Sequence, residues 1–339
     1  MSFKQALADS WYRGRAWLYL LAPFAWGFAL LSALRRWAYR SGLLEITRLP
    51  VPVIVVGNIT AGGTGKTPFV LWLVEMLRQA GWHPGIVSRG YGGRLSGAAV
   101  VPPDADAQIY GDEPVLLARR AACPVWVGQR RGKAGRAMLA ARPEVNVLIC
   151  DDGLQHYALA RDVEIVIVDG ARGLGNGWRL PVGPLRETCD RLAEVDAVVV
   201  NGATSMATDK RLAALSVHGM RLAPGAFFDV RRPEHTVGVE YFAGRPLHAL
   251  AGIGHPARFF ATLEQLGIHA RQRPFPDHHT FQPGDLPEGI VLMTEKDAVK
   301  CARFDRDDMW ALRVDARVSD GLQTIILDKL KKLHGQQTA

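Results

Sequence analysis

The sequence predicts a doubly wound α/β fold with a mainly parallel sheet, followed by a second and smaller α/β domain. Short apolar runs at residues 53–56, 163–169 and 195–201 have the composition of strands buried on both faces. Segments with helical periodicity, such as residues 131–141, lie between such runs. At 339 residues, with 48% hydrophobic and 22% charged residues, the chain is long and apolar enough for two folded domains.

A glycine-rich turn joins the first apolar run to a helix with apolar residues at 71, 73, 74 and 77. In such a turn, backbone N–H groups bind phosphate, the lysine reaches the terminal phosphates and a threonine hydroxyl ligates Mg²⁺. The sequence therefore predicts a nucleotide-binding P-loop. Its residues are Gly62, Gly63, Thr64, Gly65, Lys66 and Thr67.

Three positions in this loop depart from related motifs. The standard motif has glycine where this chain has Thr60. The loop of partition-type and septum-site ATPases, which the tail of this motif resembles, carries a lysine where this chain has Ala61. Pro68, in the first helical turn, removes one N–H donor at little cost to the helix.

The first forty residues predict a membrane-associated helix. Residues 16–34 carry no charge, are rich in aromatic residues and lie between arginines on both sides. A helix of about nineteen residues reaches roughly 28 Å, barely the thickness of a bilayer core. Whether it spans the membrane or lies in the interface stays open, and a buried helix of a soluble domain is the alternative.

The net charge of +8 fits an anionic membrane surface or a phosphorylated substrate. No zinc-finger spacing or aromatic RNA-binding motif occurs, so no nucleic-acid partner is expected, and no pattern indicates an obligate protein partner. The four cysteines are scattered, without a C-x-x-C pair. This pattern disfavours a disulfide framework and fits a reducing cytosol.

Acidic residues are predicted at the same sheet edge as the P-loop. The apolar run 145–152 ends in Asp151 and Asp152, which is the Walker B arrangement that brings a carboxylate to Mg²⁺. The sequence does not choose between the two. Asp112 and Glu113 begin a helix, where acidic residues alone are usually caps.

Two later segments add candidates for chemistry. A long glycine-rich loop over residues 173–187 carries Arg179 and Arg186, which are suited to binding an anion. The adjacent His278 and His279 follow an aspartate, in what is by default a surface turn. The predicted organisation is a membrane-associated region 1–40, a P-loop domain 41–217, a two-stranded β linker 218–242 with strands at 221–231 and 237–242, and a smaller α/β domain 243–339.

Taken together, seven motifs resemble the tetraacyldisaccharide 4′-kinases, which form lipid IVA in Gram-negative lipid A synthesis. The motifs are VGNITAGGTGKTP (56–68), SRGYGG (88–93), GDEP (111–114), CDDGLQH (150–156), PLRE (184–187), FPDHH (275–279) and TEKDAVK (294–300). The resemblance implies transfer of the γ-phosphate of MgATP to the 4′-hydroxyl of a tetraacylated glucosamine disaccharide 1-phosphate. It also implies two α/β/α domains joined by a β linker, at the cytoplasmic face of the bacterial inner membrane.

The resemblance further implies roles for individual residues. Lys66 and Arg186 would act on the phosphates, and Asp112 with His278 would form the catalytic base, with His279 as the alternative partner. Thr67, Glu113 and Asp152 or Asp151 would hold Mg²⁺. The competing hypotheses are a membrane-recruited P-loop ATPase switch and, more weakly, a soluble small-molecule kinase. Ala61 favours the lipid kinase over the switch.

Overall fold

The computed structural model describes residues 3–203, 212, 215 and 217–337. Within these residues, thirteen strands form one sheet in the order β11-β10-β12-β13-β8-β7-β6-β1-β5-β2-β4-β3, with β9 paired to β8. The strands are β1 Val53–Gly57, β2 Pro84–Ser88, β3 Ala98–Val100, β4 Val125–Gly128, β5 Val147–Asp151, β6 Val163–Asp169, β7 Ala197–Asn201, β8 Val217–Asp229, β9 Thr236–Val237, β10 Leu247–Ala251, β11 Arg271–Pro274, β12 Ile290–Thr294 and β13 Met309–Val318.

Helices cover both faces of this sheet. The α-helices are α1 Phe3–Arg13, α2 Ala22–Arg40, α3 Lys66–Gln79, α4 Ala107–Tyr110, α5 Asp112–Arg120, α6 Arg131–Ala141, α7 Pro256–Gln265, α8 Glu295–Cys301 and α9 Leu322–Gln337. Short 3₁₀ helices cover Ala16–Leu21, Cys189–Ala193, Val239–Phe242 and Pro283–Asp285.

The first half of the sheet has β1 at its centre, parallel to β5 on one side and β6 on the other. Alternate residues of β1 face opposite layers, because side chains alternate along a strand. Val56 packs with Phe69 of α3, whereas Val55 packs with Met138 of α6. Burial on both faces explains the unbroken apolar runs and confirms the predicted doubly wound fold class.

The second half of the sheet consists of β10, β11, β12 and β13, which are parallel to one another. The long strand β8 joins the halves, since it is parallel to β7 and antiparallel to β13 from Asp229↔Trp310 to Met220↔Val318. The predicted strand at 237–242 is wrong: only Thr236–Val237 is extended, and Val239–Phe242 is a 3₁₀ helix. The ten-residue partner of β8 is therefore β13.

The domain division predicted from the sequence stays a prediction. Parts of its outer limits and residues 204–211, 213, 214 and 216 of its P-loop domain lie outside the described residues.

The N-terminal helices pack on the glycine-rich loop 173–187 through a small apolar core. This core contains Trp11, Leu18, Ala25 and Val182. Pro23 lies in the first turn of α2, where its missing N–H costs no helical hydrogen bond. In the described part of the chain, Ala16–Arg40 is one helical stretch long and apolar enough to cross a membrane by length and composition.

Most large apolar side chains of this stretch face solvent. They are Trp17, Tyr19, Leu20, Phe24, Trp26, Leu30, Leu31, Leu34 and Trp37. A contiguous exposed apolar surface of this kind is typical of a membrane or partner contact. The α2 helix is thus docked on the protein along one side and apolar on its outer side.

Candidate active site

A cleft of about 1590 Å³ opens between the two halves of the sheet. The P-loop and Asp152 line it from the first half, and His278 and Lys296 line it from the second. Residues of α2, including Leu31 and Trp37, form part of the same cleft. One cavity therefore adjoins a phosphate-binding loop, titratable groups and the exposed apolar helix.

The P-loop has the backbone geometry of a phosphate cradle. Gly65 precedes α3 with φ of +92°, and a Cβ atom there would lie 2.5 Å from the Nδ2 atom of Asn201, so only glycine fits. The first N–H groups of α3 have no partner within the helix, and this first turn lines the cleft. Lys66 donates to Oδ1 of Asn58 at 3.1 Å, and its ammonium lies 3.3 Å from Oδ1 of Asp152.

Asp151 ends β5 and Asp152 follows it beside the P-loop, but only Asp152 lines the cleft. Asp152 adopts a positive φ of 47°, lines the cleft and pairs with Lys66 and Arg186. Burial opposes its ionisation, but these two cations hold its pKa below the ordinary value. Asp151 is buried and accepts a hydrogen bond from Ser88. Burial, with the charges of Glu113 and Asp152, raises the pKa of Asp151 to about 7.

The oxygen donors at this edge suit a hard divalent cation. The Oδ1 atom of Asp152 is buried and forms an ion pair but no hydrogen bond, and Thr67 and Glu113 line the same cleft. In the described ranges, no group of three or more His, Cys, Asp or Glu side chains forms a closed metal site. Mg²⁺ needs none, because it binds through one or two carboxylates together with substrate phosphates and water.

Asp112 and His278 meet across the cleft. Oδ2 of Asp112 lies 3.1 Å from Nδ1 of His278, whose backbone has a positive φ of 58° and whose ring contacts Tyr91 edge-on. Burial opposes ionisation of Asp112, but the hydrogen bond with His278 and the charge of Lys296 hold its pKa below the ordinary value. The hydrogen bond with Asp112 raises the pKa of His278. The two residues form a carboxylate–imidazole pair.

His279 has a different environment. Its Nε2 atom lies 2.9 Å from Oδ2 of Asp285, and its ring stacks on Phe275 and contacts Phe281 edge-on. These contacts are within the second half of the sheet. His278, not His279, therefore faces Asp112.

Arg186 reaches the site from the loop 173–187. Its backbone N–H donates to the carbonyl of Ile59 at 2.7 Å, and its guanidinium lies 3.6 Å from Oδ2 of Asp152. The same loop contacts the N-terminal helices, since Arg179 donates to the carbonyl of Ala29 at 3.2 Å and Trp11 donates to that of Pro181 at 2.9 Å. One loop thus links α2 to the phosphate site.

A second contact across the cleft involves Asp169, at the end of β6. Its carboxylate accepts hydrogen bonds from Arg258 of α7 at 2.9–3.0 Å and from Arg172. Arg172 also donates to the carbonyl of Gly63 in the P-loop. Nothing in the spacing of these residues along the sequence indicates that they meet, so no role is predicted for them.

Lys296 is a further residue for which the sequence predicts no role in the site. Its ammonium donates to Oε1 of Glu113 at 3.0 Å and lies 3.7 Å from Oδ2 of Asp112. The sequence feature that could have indicated Lys296 is its position in the TEKDAVK motif. No chemical role is predicted for any residue of that motif.

A P-loop beside an acidic strand end, in a cleft that also holds one member of a carboxylate–imidazole pair, is the arrangement of a P-loop phosphotransferase. The profile of the family described as tetraacyldisaccharide-1-P 4′-kinase (LpxK) matches residues 17–331. The chain belongs to the tetraacyldisaccharide 4′-kinase family. This confirms the family and the enzyme class, a kinase, predicted from the sequence.

Individual members of this family are similar to the chain over nearly its whole length. The tetraacyldisaccharide 4′-kinase of Dechloromonas aromatica is 53% identical, covering 95% of this chain and 94% of the relative. That of Methylobacillus flagellatus is 49% identical over 98% of both chains. The crystal structure of LpxK from Aquifex aeolicus in complex with ATP is 28% identical, with a TM-score of 0.78 over 92% of this chain and 99% of that one.

Proposed function

We propose that the protein transfers the γ-phosphate of ATP to the 4′-hydroxyl of a tetraacylated glucosamine disaccharide 1-phosphate, forming lipid IVA. Family membership supports this proposal. The observation that carries it is the 3.1 Å contact between the buried Asp112 and His278, which lines the same cleft as the P-loop and α2. A base, a phosphate cradle and an apolar surface are what transfer to a lipid hydroxyl requires.

The P-loop would hold ATP, and the solved family member from Aquifex aeolicus is a complex with ATP. Backbone N–H groups of residues 62–67 would bind the β- and γ-phosphates, and Lys66 would leave Asp152 to pair with them. Arg186, now 3.6 Å from Asp152, would neutralise the negative charge of the transferring phosphoryl group.

Thr67, Asp152 and Glu113 are the residues that would hold Mg²⁺. The buried Asp151, hydrogen-bonded to Ser88, would orient Asp152 rather than bind the metal. Mg²⁺ held by these residues would supply positive charge that offsets the negative charge of the phosphates. Mg²⁺ commonly binds proteins through only one or two carboxylates, and Asp152 and Glu113 would supply that number here.

Asp112 would take the proton of the 4′-hydroxyl as the acceptor oxygen attacks phosphorus. The carboxylate of Asp112 is ionised, so it can accept the proton. His278, hydrogen-bonded to this carboxylate, orients it and places positive charge beside it. Because the two side chains come from opposite walls, the base is complete only when the walls are together. This arrangement limits ATP hydrolysis without acceptor.

The protein would act at the cytoplasmic face of the bacterial inner membrane. The exposed apolar side of α2 and the arginines at its C-terminal end suit an anionic membrane surface. The acceptor's acyl chains would lie along α2 while its sugar enters the cleft, which α2 lines.

The test is incubation of purified protein with [γ-³²P]ATP, Mg²⁺ and a tetraacylated disaccharide 1-phosphate in mixed micelles. Label extracted with the lipid supports the proposal. Free phosphate alone, released equally with and without the lipid, would contradict it and support the ATPase switch. An acceptor whose 4′-hydroxyl is methylated serves as the matched control and should take no label.

A further inference from the structure

Lys296 lies where three carboxylates meet. Its Nζ atom is 3.0 Å from Oε1 of Glu113, 3.7 Å from Oδ2 of Asp112 and 3.8 Å from Oδ1 of Asp277. Glu113 and Asp112 begin α5 in the first half of the sheet, whereas Asp277 belongs to the second half. The side chain is only 18% exposed, so these contacts are poorly screened by water.

The backbone around Lys296 is firmly held. Thr294 caps α8 by accepting from the N–H of Asp297, and Thr294 also donates to the carboxylate of Asp297 at 2.6 Å. Glu295, the neighbouring residue, accepts from Arg120 at 2.6 Å and from the N–H of Val314 at 2.9 Å. The backbone from which the Lys296 side chain extends is therefore fixed by the fold and is not part of a flexible surface loop.

Glu113 faces two environments. On one side it accepts the hydrogen bond from Lys296. On the other it lines the same cleft as Thr67 and Asp152. The carboxylate thus borders both the ammonium of Lys296 and the cleft in which Thr67 and Asp152 would hold a divalent cation.

We propose that Lys296 is a positioning residue whose ammonium competes with a divalent cation for the carboxylate of Glu113. This inference rests on the proposed function, which supplies the metal. Without metal, Lys296 neutralises Glu113 and holds it beside Asp112. When the nucleotide's metal arrives, Glu113 turns to it and the ammonium remains with Asp112 and Asp277, which keeps the base side of the cleft together.

The test is a titration of the full-length protein in detergent with Mn²⁺ and no nucleotide, in which electron paramagnetic resonance counts the free ion. Lys296→Met and Lys296→Gln remove the competing charge, so the Kd for Mn²⁺ should fall about tenfold. Lys296→Arg keeps the charge and should bind like the wild type. Circular dichroism and Tm establish that each variant is folded.

An unchanged or higher Kd in a folded Met or Gln variant overturns the proposal. A second measurement needs no variant: acetylation of Lys296 by a succinimidyl ester, followed by peptide mass spectrometry, should become several-fold faster with saturating Mn²⁺. An unchanged rate overturns it as well. Neither measurement uses the lipid or counts product, so their failure is distinguishable from failure of the proposed kinase reaction.

Discussion

Nδ1 of His278 lies 3.1 Å from Oδ2 of Asp112, although 166 positions separate the two residues in sequence. Asp112 is fixed at the start of α5, and His278 follows β11 on the other wall of the cleft. The pair therefore reports directly on the relative position of the two halves. Any change that separates the halves therefore breaks this contact.

Asp112→Asn should lower kcat for lipid phosphorylation by about 10²–10⁴, because the amide cannot accept the hydroxyl proton. The KM for ATP should change little, since the polar partners described for Asp112 are Glu113, His278 and Lys296. Steady-state assays with radiolabelled ATP measure both constants. Asp106→Asn is the matched control: Asp106 caps α4 nearby, asparagine caps equally well, and activity should stay at the wild-type level.

His278→Ala and His279→Ala should have opposite effects. The first removes the partner of Asp112 and should lower kcat, while its Tm at about pH 9 should stay close to that of the wild type. The second removes the contacts with Asp285 and Phe275 and should lower Tm while leaving kcat nearly unchanged. Kinetic assays and thermal unfolding of both variants provide the comparison. A larger loss of kcat in His279→Ala would reverse the assignment of the base partner.

The stability contributed by His278 should depend on pH. Its bond to Asp112 raises its pKa above the ordinary 6.5, whereas Asp112 stays ionised because its own pKa is lowered. The contribution is complete below the unfolded pKa and is lost as pH rises through the folded pKa. The Tm of the wild type should thus exceed that of His278→Gln most at about pH 6 and least at about pH 9. A difference that grew with pH would refute this sign.

Arg120→Met should lower the free energy of unfolding by about 3 kcal/mol, measured by urea denaturation. Arg120 joins α5 to Glu295 of α8 at 2.6 Å and to Asp315 of β13 at 2.5 Å, and its loss leaves the buried Glu295 unpaired. Arg142→Met removes an exposed arginine 3.8 Å from Glu144 and should cost less than about 1 kcal/mol. An equal loss of unfolding free energy in the two variants would show that the ion pairs of Arg120 stabilise the fold no more than an exposed pair does.

Leu20→Glu combined with Leu31→Glu should move the protein from the membrane fraction to the soluble fraction. The two side chains are 80% and 70% exposed, so the folded protein should keep its Tm. Each change removes about 1.5–3 kcal/mol of apolar contact with lipid. Ile325→Glu on α9, also exposed, is the control and should leave the distribution unchanged. Continued sedimentation of the double variant would assign attachment to another surface.

The sequence predicts most clearly what local chemistry specifies. The buried strand, the glycine turn and Lys66 lie within fourteen residues of one another, and Asp152 ends a recognisable apolar run. These elements occur as predicted because their conformations depend on neighbours in the chain.

The errors have a common physical cause, which is tertiary packing. Tyr241 and Phe242 suggest a strand, but they form part of a 3₁₀ helix and pack their rings against Trp310. No strand is predicted over residues 309–318, where Leu312 and Val314 alternate with charged residues. The site residue Lys296 escapes notice for the same reason, because its carboxylate partners are distant in sequence.

The α2 helix is both an exposed apolar surface and a wall of the cleft, through Leu31 and Trp37. If α2 lies in a membrane or micelle, a lipid acceptor in the same membrane or micelle reaches the cleft by lateral diffusion. The rate of phosphorylation then depends on the mole fraction of the acceptor among the lipids and detergent. Adding neutral detergent at constant total acceptor would slow phosphorylation without altering the affinity for ATP. The rate thus depends on the surface concentration of the lipid acceptor and on the bulk concentration of ATP.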